Sequence, residues 1–332
     1  MNNMDSYPPI LRHQNNQPQN LTNPNNTTDP NPIQDSDPVP TIDLKYLNHK
    51  NLDEACKEWG LFRLVNHGVP LTLMEQLQDV TKQVFSLSFE SKQEACNECP
   101  ITYFWGTPAL TPSGKALSNG TQNINWVEGF DVPLSKLEQF QHQVPSLESI
   151  RLLLLDYATH LSRIATTLFE AMAKSLDLNL KETKSYLAEN TGIVRVYRYP
   201  RTDAGWGMEV HTDSSVLSIL NQDDHVSGLQ VLKDDQWLTV KPISNTLIIN
   251  LGDMMQAISS DTYKSVSHRV KVEKDTERIS ICYFVFPGEG VMIESSKYKP
   301  FTYNDFREQV QQDIKTLGHK VGLGRFHLNQ DS

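Results

Sequence analysis

Cysteine is scarce in this chain, with four in 332 residues, too few for a disulfide scaffold and consistent with reduced thiols. Cys96 and Cys99 in "ACNECP" have the spacing of half a zinc site or a redox pair. No second pair with that spacing completes four ligands, and no thioredoxin-like strand context surrounds them, so they read as ordinary thiols. Long apolar runs are missing too. The longest aliphatic cluster, "LLLL" at 152–155, cannot cross a bilayer, and "MNNMDSYPPI" has no basic segment followed by an apolar one. The expectation is a cytoplasmic protein, with the nucleus as the other open compartment and no membrane association. Sequons at 25–27 and 119–121 would matter only in a secreted chain. Nor is there a run of lysine or arginine. At a formal charge of -10, nucleic acid and acidic membrane surfaces are poor partners, so a small molecule is expected to meet a monomer.

What is present is a globular composition, 38% hydrophobic, enough to bury a substantial core. Residues 1–37 are rich in Asn, Gln, Pro, Asp and Thr and read as a disordered tail. Order is expected from "VPTIDL", followed by a helix in "NLDEACKEWG", where Leu52, Ala55, Cys56 and Trp59 keep helical spacing and Gly60 ends it. A strand and turn follow in "LFRLVNHGVP". His67, at that turn, has no nearby carboxylate or cysteine and reads as structural. Leu161, Ile164, Ala165, Leu168, Phe169, Met172 and Leu176 form an apolar stripe on a supporting helix between Ser149 and Leu178. From Ile193 the texture changes to short apolar runs, among them "IVRVYRY", "VLSIL", "GLQVL", "TLIINLG", "SVSHRVKV" and "RISICYFVF". Strands without intervening helices imply antiparallel sheets, a jelly roll or barrel, and exclude a doubly wound parallel sheet. "TYNDFREQVQQDIKTLG" returns to helix.

The chemistry gathers in three of these runs. In "GMEVHTDSSVLSIL", His211 and Asp213 stand one residue apart at the mouth of a strand. Alone, such a pair also occurs by chance or as a turn with a capping aspartate. His268 in "YKSVSHRVKV" supplies a third member, and two histidines with one carboxylate make the facial set of a non-haem Fe(II) site, whereas zinc would prefer a tetrahedral arrangement. Period-two alternation in "RISICYFVF" then puts Arg278, Ser280, Cys282, Phe284 and Phe286 on one face. A guanidinium leading an apolar strand face needs an anionic partner, either a surface carboxylate of the protein or the far end of a dicarboxylate cosubstrate.

His211-x-Asp213, His268 and Arg278-x-Ser280 resemble the signature of the plant 2-oxoglutarate and Fe(II)-dependent dioxygenases, and "VPTIDL" with "EWGLFRLVNHGVP" resembles their amino-terminal region. The resemblance runs from about Pro38 to the carboxyl end. Within that family, "YFWGTPA", "NWVEGFDVP", "GLQVLKDDQWLTVKP", "NLGDMMQAISSDTYKSVSHRV" and "GHKVGLGRF" are similar to the gibberellin 2-oxidases that act on twenty-carbon precursors. The resemblance implies a mainly β fold with flanking helices around a double-stranded β-helix, a distorted jelly roll. It implies a division into the tail at 1–37, a supporting region at 38–188, the jelly-roll core at 189–290 and a helical segment at 291–332. It also implies Fe(II) on His211, Asp213 and His268, and 2-oxoglutarate held by Tyr199, Arg278 and Ser280. O2 would be the oxidant, ascorbate an activator, and hydroxylation of a gibberellin the reaction.

Two departures bear on the site. Tyr197 in "RVYRYP" stands where the family usually has asparagine, and the Pro- and Cys-rich connection after it is replaced by the short "RTDAGWGMEV". Arg195, Tyr197 and Tyr199 share one strand face, and Phe104, Trp105 and Trp126 are candidates to cover the mouth. Aromatic walls with one cation suit a mostly hydrocarbon acid, gibberellin, flavonoid or alkaloid alike. Two rival readings remain at this stage: an oxidase on the same fold that takes electrons from ascorbate or substrate, and a binding protein that has kept the scaffold.

Overall fold

The computed structural model describes residues 4–12, 37–96, 100–107, 124–137, 144–179, 184–188, 191–202 and 205–328. Cys99 and both sequons lie outside them. In chain order the strands that build the core are β1 (Thr41–Asp43), β2 (Leu61–Val65), β3 (Thr102–Trp105), β4 (Glu128–Pro133), β5 (Ile193–Tyr199) and β6 (Trp206–His211). They continue with β7 (Leu217–Gln222), β8 (Leu229–Lys233), β9 (Gln236–Thr239), β10 (Leu247–Leu251), β11 (His268–Lys271) and β12 (Arg278–Val285). Among the described residues, eight of these pair in the order β1-β2-β10-β7-β12-β5-β4-β3 and four in the order β6-β11-β8-β9. Every pairing is antiparallel except that of β1 with β2. The two sheets form the distorted jelly roll, and strands from the amino-terminal region extend the larger one.

Strand alternation gives the larger sheet two different faces. Along β12, Ile279, Ile281, Tyr283 and Val285 join a core shared with the helices, together with Val194 and Val196 of β5 and Leu247, Ile249 and Leu251 of β10. The helix Pro145–Ser175 feeds Leu154, Leu161, Ile164, Leu168 and Met172 into that core, its first turn set by a proline that needs no amide partner. It begins four residues before the expected start for that reason. The opposite face meets the smaller sheet in a second apolar cluster that includes Tyr197, Tyr199, Met208, Leu229, Ile248, Val270 and Cys282. The site lies between these sheets. Among the described residues no helix is long and apolar enough to cross a membrane.

The amino terminus corrects the expectation of disorder over 1–37. Residues 4–12 form two short helical turns, Met4–Ser6 and Pro9–Arg12, with Ser6 and Leu11 buried. Their anchor is electrostatic, which composition does not show. The Ser6 carbonyl accepts from Lys92 Nζ at 2.6 Å and Arg198 Nη2 at 3.1 Å, while the Tyr7 hydroxyl donates to Glu277 at 2.6 Å under the Arg198 guanidinium. Residues 13–36 lie outside the described residues.

Candidate active site

His211 ends β6 and His268 opens β11, and the antiparallel register sets them directly opposite each other, with ring centroids 4.2 Å apart. Asp213 follows on the turn into β7. Its Oδ1 faces His211 Nε2 at 4.0 Å and His268 Nε2 at 3.7 Å. The three could hold one metal ion, since their ligand atoms lie within 4.8 Å of one another. The donor set fits a divalent transition metal in its details as well as its members. His211 Nδ1 faces the Glu209 carbonyl at 2.8 Å and His268 Nδ1 the Val266 carbonyl at 3.2 Å, so each ring donates through Nδ1 and keeps a bare Nε2 toward the shared point.

The carboxylate is oriented in the same way. Asp213 Oδ2 accepts from Ser218 Oγ and Asn250 Nδ2, both at 2.7 Å, which leaves Oδ1 for the shared point. Burial alone would raise its pKa, but His268, His211 and those two hydrogen bonds outweigh burial and hold it below the ordinary carboxylate range. His211 is pushed down to about 3, by burial first and by His268 next. An ionised carboxylate beside a neutral imidazole is the protonation state a cation requires.

A chamber opens beside the triad. Its apolar walls include Leu61, Met208, Leu220, Leu229, Ile248 and Val270, and Arg278, Ser280 and Tyr199 line it as well. Arg278 is 2% exposed. Its Nη2 donates to Gln222 Oε1 at 3.2 Å, but Nε and Nη1 have no acceptor among the described residues. Burial lowers its pKa from the ordinary guanidinium value. Two unpaired N–H groups on a buried cation are costly to maintain and form a ready fork for a carboxylate. Room for the fork comes from Gly228, whose φ of +151° and lack of a side chain let it pack beside the Arg278 stem; a Cβ there would meet the Lys271 carbonyl at 2.6 Å and Arg278 Cδ at 3.3 Å. Burial pushes the Tyr199 phenol up to about 12, with Arg278 and Ser280 pulling the other way.

Comparison with known proteins matches these features. Residues 190–287 match the 2OG-Fe(II) oxygenase superfamily, and residues 39–147 match the amino-terminal region described as non-haem dioxygenase in morphine synthesis. Gibberellin 2-beta-dioxygenase 8 of Arabidopsis thaliana is 36% identical over 279 residues, 82% of this chain and 79% of that protein. The chain belongs to the 2OG-Fe(II) oxygenase superfamily. This oxygenase is also 31% identical to 1-aminocyclopropane-1-carboxylate oxidase 3 of Arabidopsis thaliana, over 80% of this chain and 86% of that one. Among solved structures, JOX2 in complex with 2OG, Fe and JA superposes with a TM-score of 0.71 at 27% identity, covering 85% of the oxygenase and 86% of JOX2. The oxygenase is therefore a dioxygenase that uses Fe(II) and 2-oxoglutarate.

The structure brings all six expected site residues to one chamber. It redistributes the aromatic residues. Phe104 and Trp105 lie on β3 rather than over the mouth: Phe104 is buried edge-on against Tyr197, and Trp105 packs on Phe89. Arg195 pairs with Asp131 at 2.5 Å, so its charge is already met within the protein. His67 accepts from the Val69 amide at 3.2 Å in a structural turn, as expected. Sequence reasoning missed Ser218, Asn250 and Gln222, the groups that orient Asp213 and Arg278. A signal existed for Asn250, a lone amide in the wholly buried strand "LIINL", because such a group must find a partner.

Proposed function

We propose that His211, Asp213 and His268 hold the Fe(II), that Arg278, Ser280 and Tyr199 hold the far carboxylate of 2-oxoglutarate, and that the substrate is a twenty-carbon gibberellin hydroxylated at its 2β position. The observation that carries the cosubstrate assignment is the unpaired Nε and Nη1 of buried Arg278 in the same chamber as the triad. Fe(II) together with 2-oxoglutarate supplies the oxidant for a C–H bond, one oxygen atom of O2 entering the product and the other entering succinate as CO2 leaves. The protein's own part is positional. Asn250 and Ser218 keep one Asp213 oxygen occupied, the Nδ1 bonds keep both imidazoles turned inward, and the aliphatic walls exclude water from the reacting bond.

The gibberellin assignment rests on similarity to a gibberellin 2-beta-dioxygenase over most of both chains and on a chamber lined largely by aliphatic and aromatic side chains. A second reading, another terpenoid acid, is favoured by Tyr197, whose phenol occupies part of the wall where the resembled family has asparagine. The test offers purified protein, with Fe(II), ascorbate and 2-oxoglutarate, a panel of twenty-carbon and nineteen-carbon gibberellins, flavonoids and other plant acids. The expected result is a product heavier by one oxygen with matched succinate from a twenty-carbon gibberellin. Matched turnover of a different scaffold alone would reject the gibberellin assignment and keep the rest. Absence of substrate-dependent succinate from the whole panel would count against the hydroxylase reading itself.

A further inference from the structure

The His211–Asp213 turn faces a mechanical problem. Two ligands one residue apart converge on a point only while the intervening residue stays extended, and the turn has no ladder partner beyond His211 to hold it there. The support comes from the far end of the chain. Lys320 Nζ donates to the Thr212 carbonyl at 2.9 Å, Thr212 Oγ1 at 3.1 Å and Ser214 Oγ at 3.0 Å, and pairs with Asp253 Oδ2 at 2.5 Å. Asp253 in turn donates its backbone N–H to the Asp213 carbonyl at 2.8 Å, while its Oδ2 accepts from Thr212 Oγ1 at 3.3 Å. One ion pair thus clamps the carbonyls of two consecutive residues in the turn.

Resting on the metal assignment proposed above, we infer that Lys320 is a positioning residue for the metal centre, holding the His211–Asp213 turn from behind. Its acceptors all belong to the turn or to Asp253, so the ammonium is committed within the protein rather than offered to a substrate. Asp253 is buried and Lys320 nearly so, unlike the exposed pairs that contribute little. The lysine is delivered by a packed segment. Phe326 packs at a tilt against Phe301 and Phe306, with centroids at 4.5 and 5.7 Å, and Gly322, at φ +69°, closes over the lysine stem where a Cβ would lie 3.3 Å from Lys320 Cε. Groups that orient ligands without touching the metal typically alter affinity by about 10- to 100-fold when removed.

The test titrates metal-free protein with Co(II), reading affinity and ligand-field bands by visible absorption, beside thermal melting. Lys320→Met is expected to weaken Co(II) binding about tenfold or more and to shift the bands, with partial recovery in Lys320→Arg. Arg325→Met removes the Arg325–Asp313 pair of the same segment without touching the turn, so it should lower the melting temperature and leave Co(II) binding unchanged. If Lys320→Met does not fold, Lys320→Gln carries the same reading. Unchanged Co(II) binding in the Lys320 variants, or equal weakening in Arg325→Met, would overturn the inference by reducing Lys320 to general stability. His211→Ala serves as the control: were its Co(II) bands intact, the metal assignment would itself fail and Lys320 with it.

Discussion

Among the buried charge clusters of the described residues, two stand in contrast, one closed and the other open. Beneath the amino-terminal turns, Glu128 is surrounded by Lys92 Nζ at 2.6 Å, by Arg198 and by the Tyr103 hydroxyl, while Ser6 absorbs the remaining donors. In the chamber, Arg278 keeps two unpaired N–H groups and Asp213 keeps one oxygen for the triad's shared point. Both clusters are largely buried, so both cost desolvation energy. In the first, that cost is offset inside the chain, which makes it structural; in the second, under the assignment proposed above, the offset comes from a cation and a dicarboxylate. The unspent valences mark the functional cluster, rather than its burial or its charge.

Substitutions should separate the two clusters. The largest stability effect is expected from Glu128→Ala, which strands two buried cations and should cost about 3–5 kcal/mol, measured by urea unfolding, while kcat per folded molecule changes little. Arg278→Leu should do the reverse. The half-saturating concentration of 2-oxoglutarate should rise about 10- to 100-fold, corresponding to the ~1.5–3 kcal/mol of a charge-assisted hydrogen bond. Its melting temperature should not fall, since an underpaired charge has been removed from the interior. A large loss of stability in Arg278→Leu would erase the distinction between the clusters.

Deletion of residues 1–12 probes the closure of the first cluster. Losing the Ser6 carbonyl and Tyr7 from Lys92 and Arg198 should cost about 1–3 kcal/mol, readable as a lower melting temperature with 2-oxoglutarate affinity intact. A pH slope is also expected in the metal-free protein. The unfolded chain protonates His211 near its ordinary 6.5 and the folded chain only near about 3, so the unfolded state binds more protons throughout that window. This contribution to stability is therefore full above the window and is lost as pH falls through it, with Asp213 adding in the same direction below the ordinary carboxylate range. Urea midpoints at several pH values should show a shallower decline in His211→Asn than in the parent chain.

Local pattern made much of this legible in advance. The alternation in "RISICYFVF" assigned Arg278, Ser280, Cys282, Phe284 and Phe286 to one face; the chamber is lined by the first four, while Phe286 lies past the end of the strand and stacks on Tyr303. Helical spacing of Leu52, Ala55, Cys56 and Trp59 foretold the helix His49–Glu58; the first three are its buried side, while Trp59 is its C-cap. The tail was misread because its composition is polar while its anchors are a main-chain carbonyl and a tyrosine, neither of which affects hydropathy. The aromatic residues were misplaced because β3 lies at the sheet edge, and its pairing with β4 depends on a distant neighbour rather than on its own four residues.

By itself the sequence determined the identities of the ligands, the two periodicities and the apolar surplus, because side-chain chemistry and strand alternation are local properties. Only the tertiary structure decided which polar groups would be satisfied. Asn250 reaches Asp213 across 37 residues, Gln222 reaches Arg278 across 56, and Lys320 reaches Thr212 across 108. Hydrogen-bond partners at that separation are chosen by register and packing, and these settle whether a buried charge ends as a closed structural pair or stays open for a ligand.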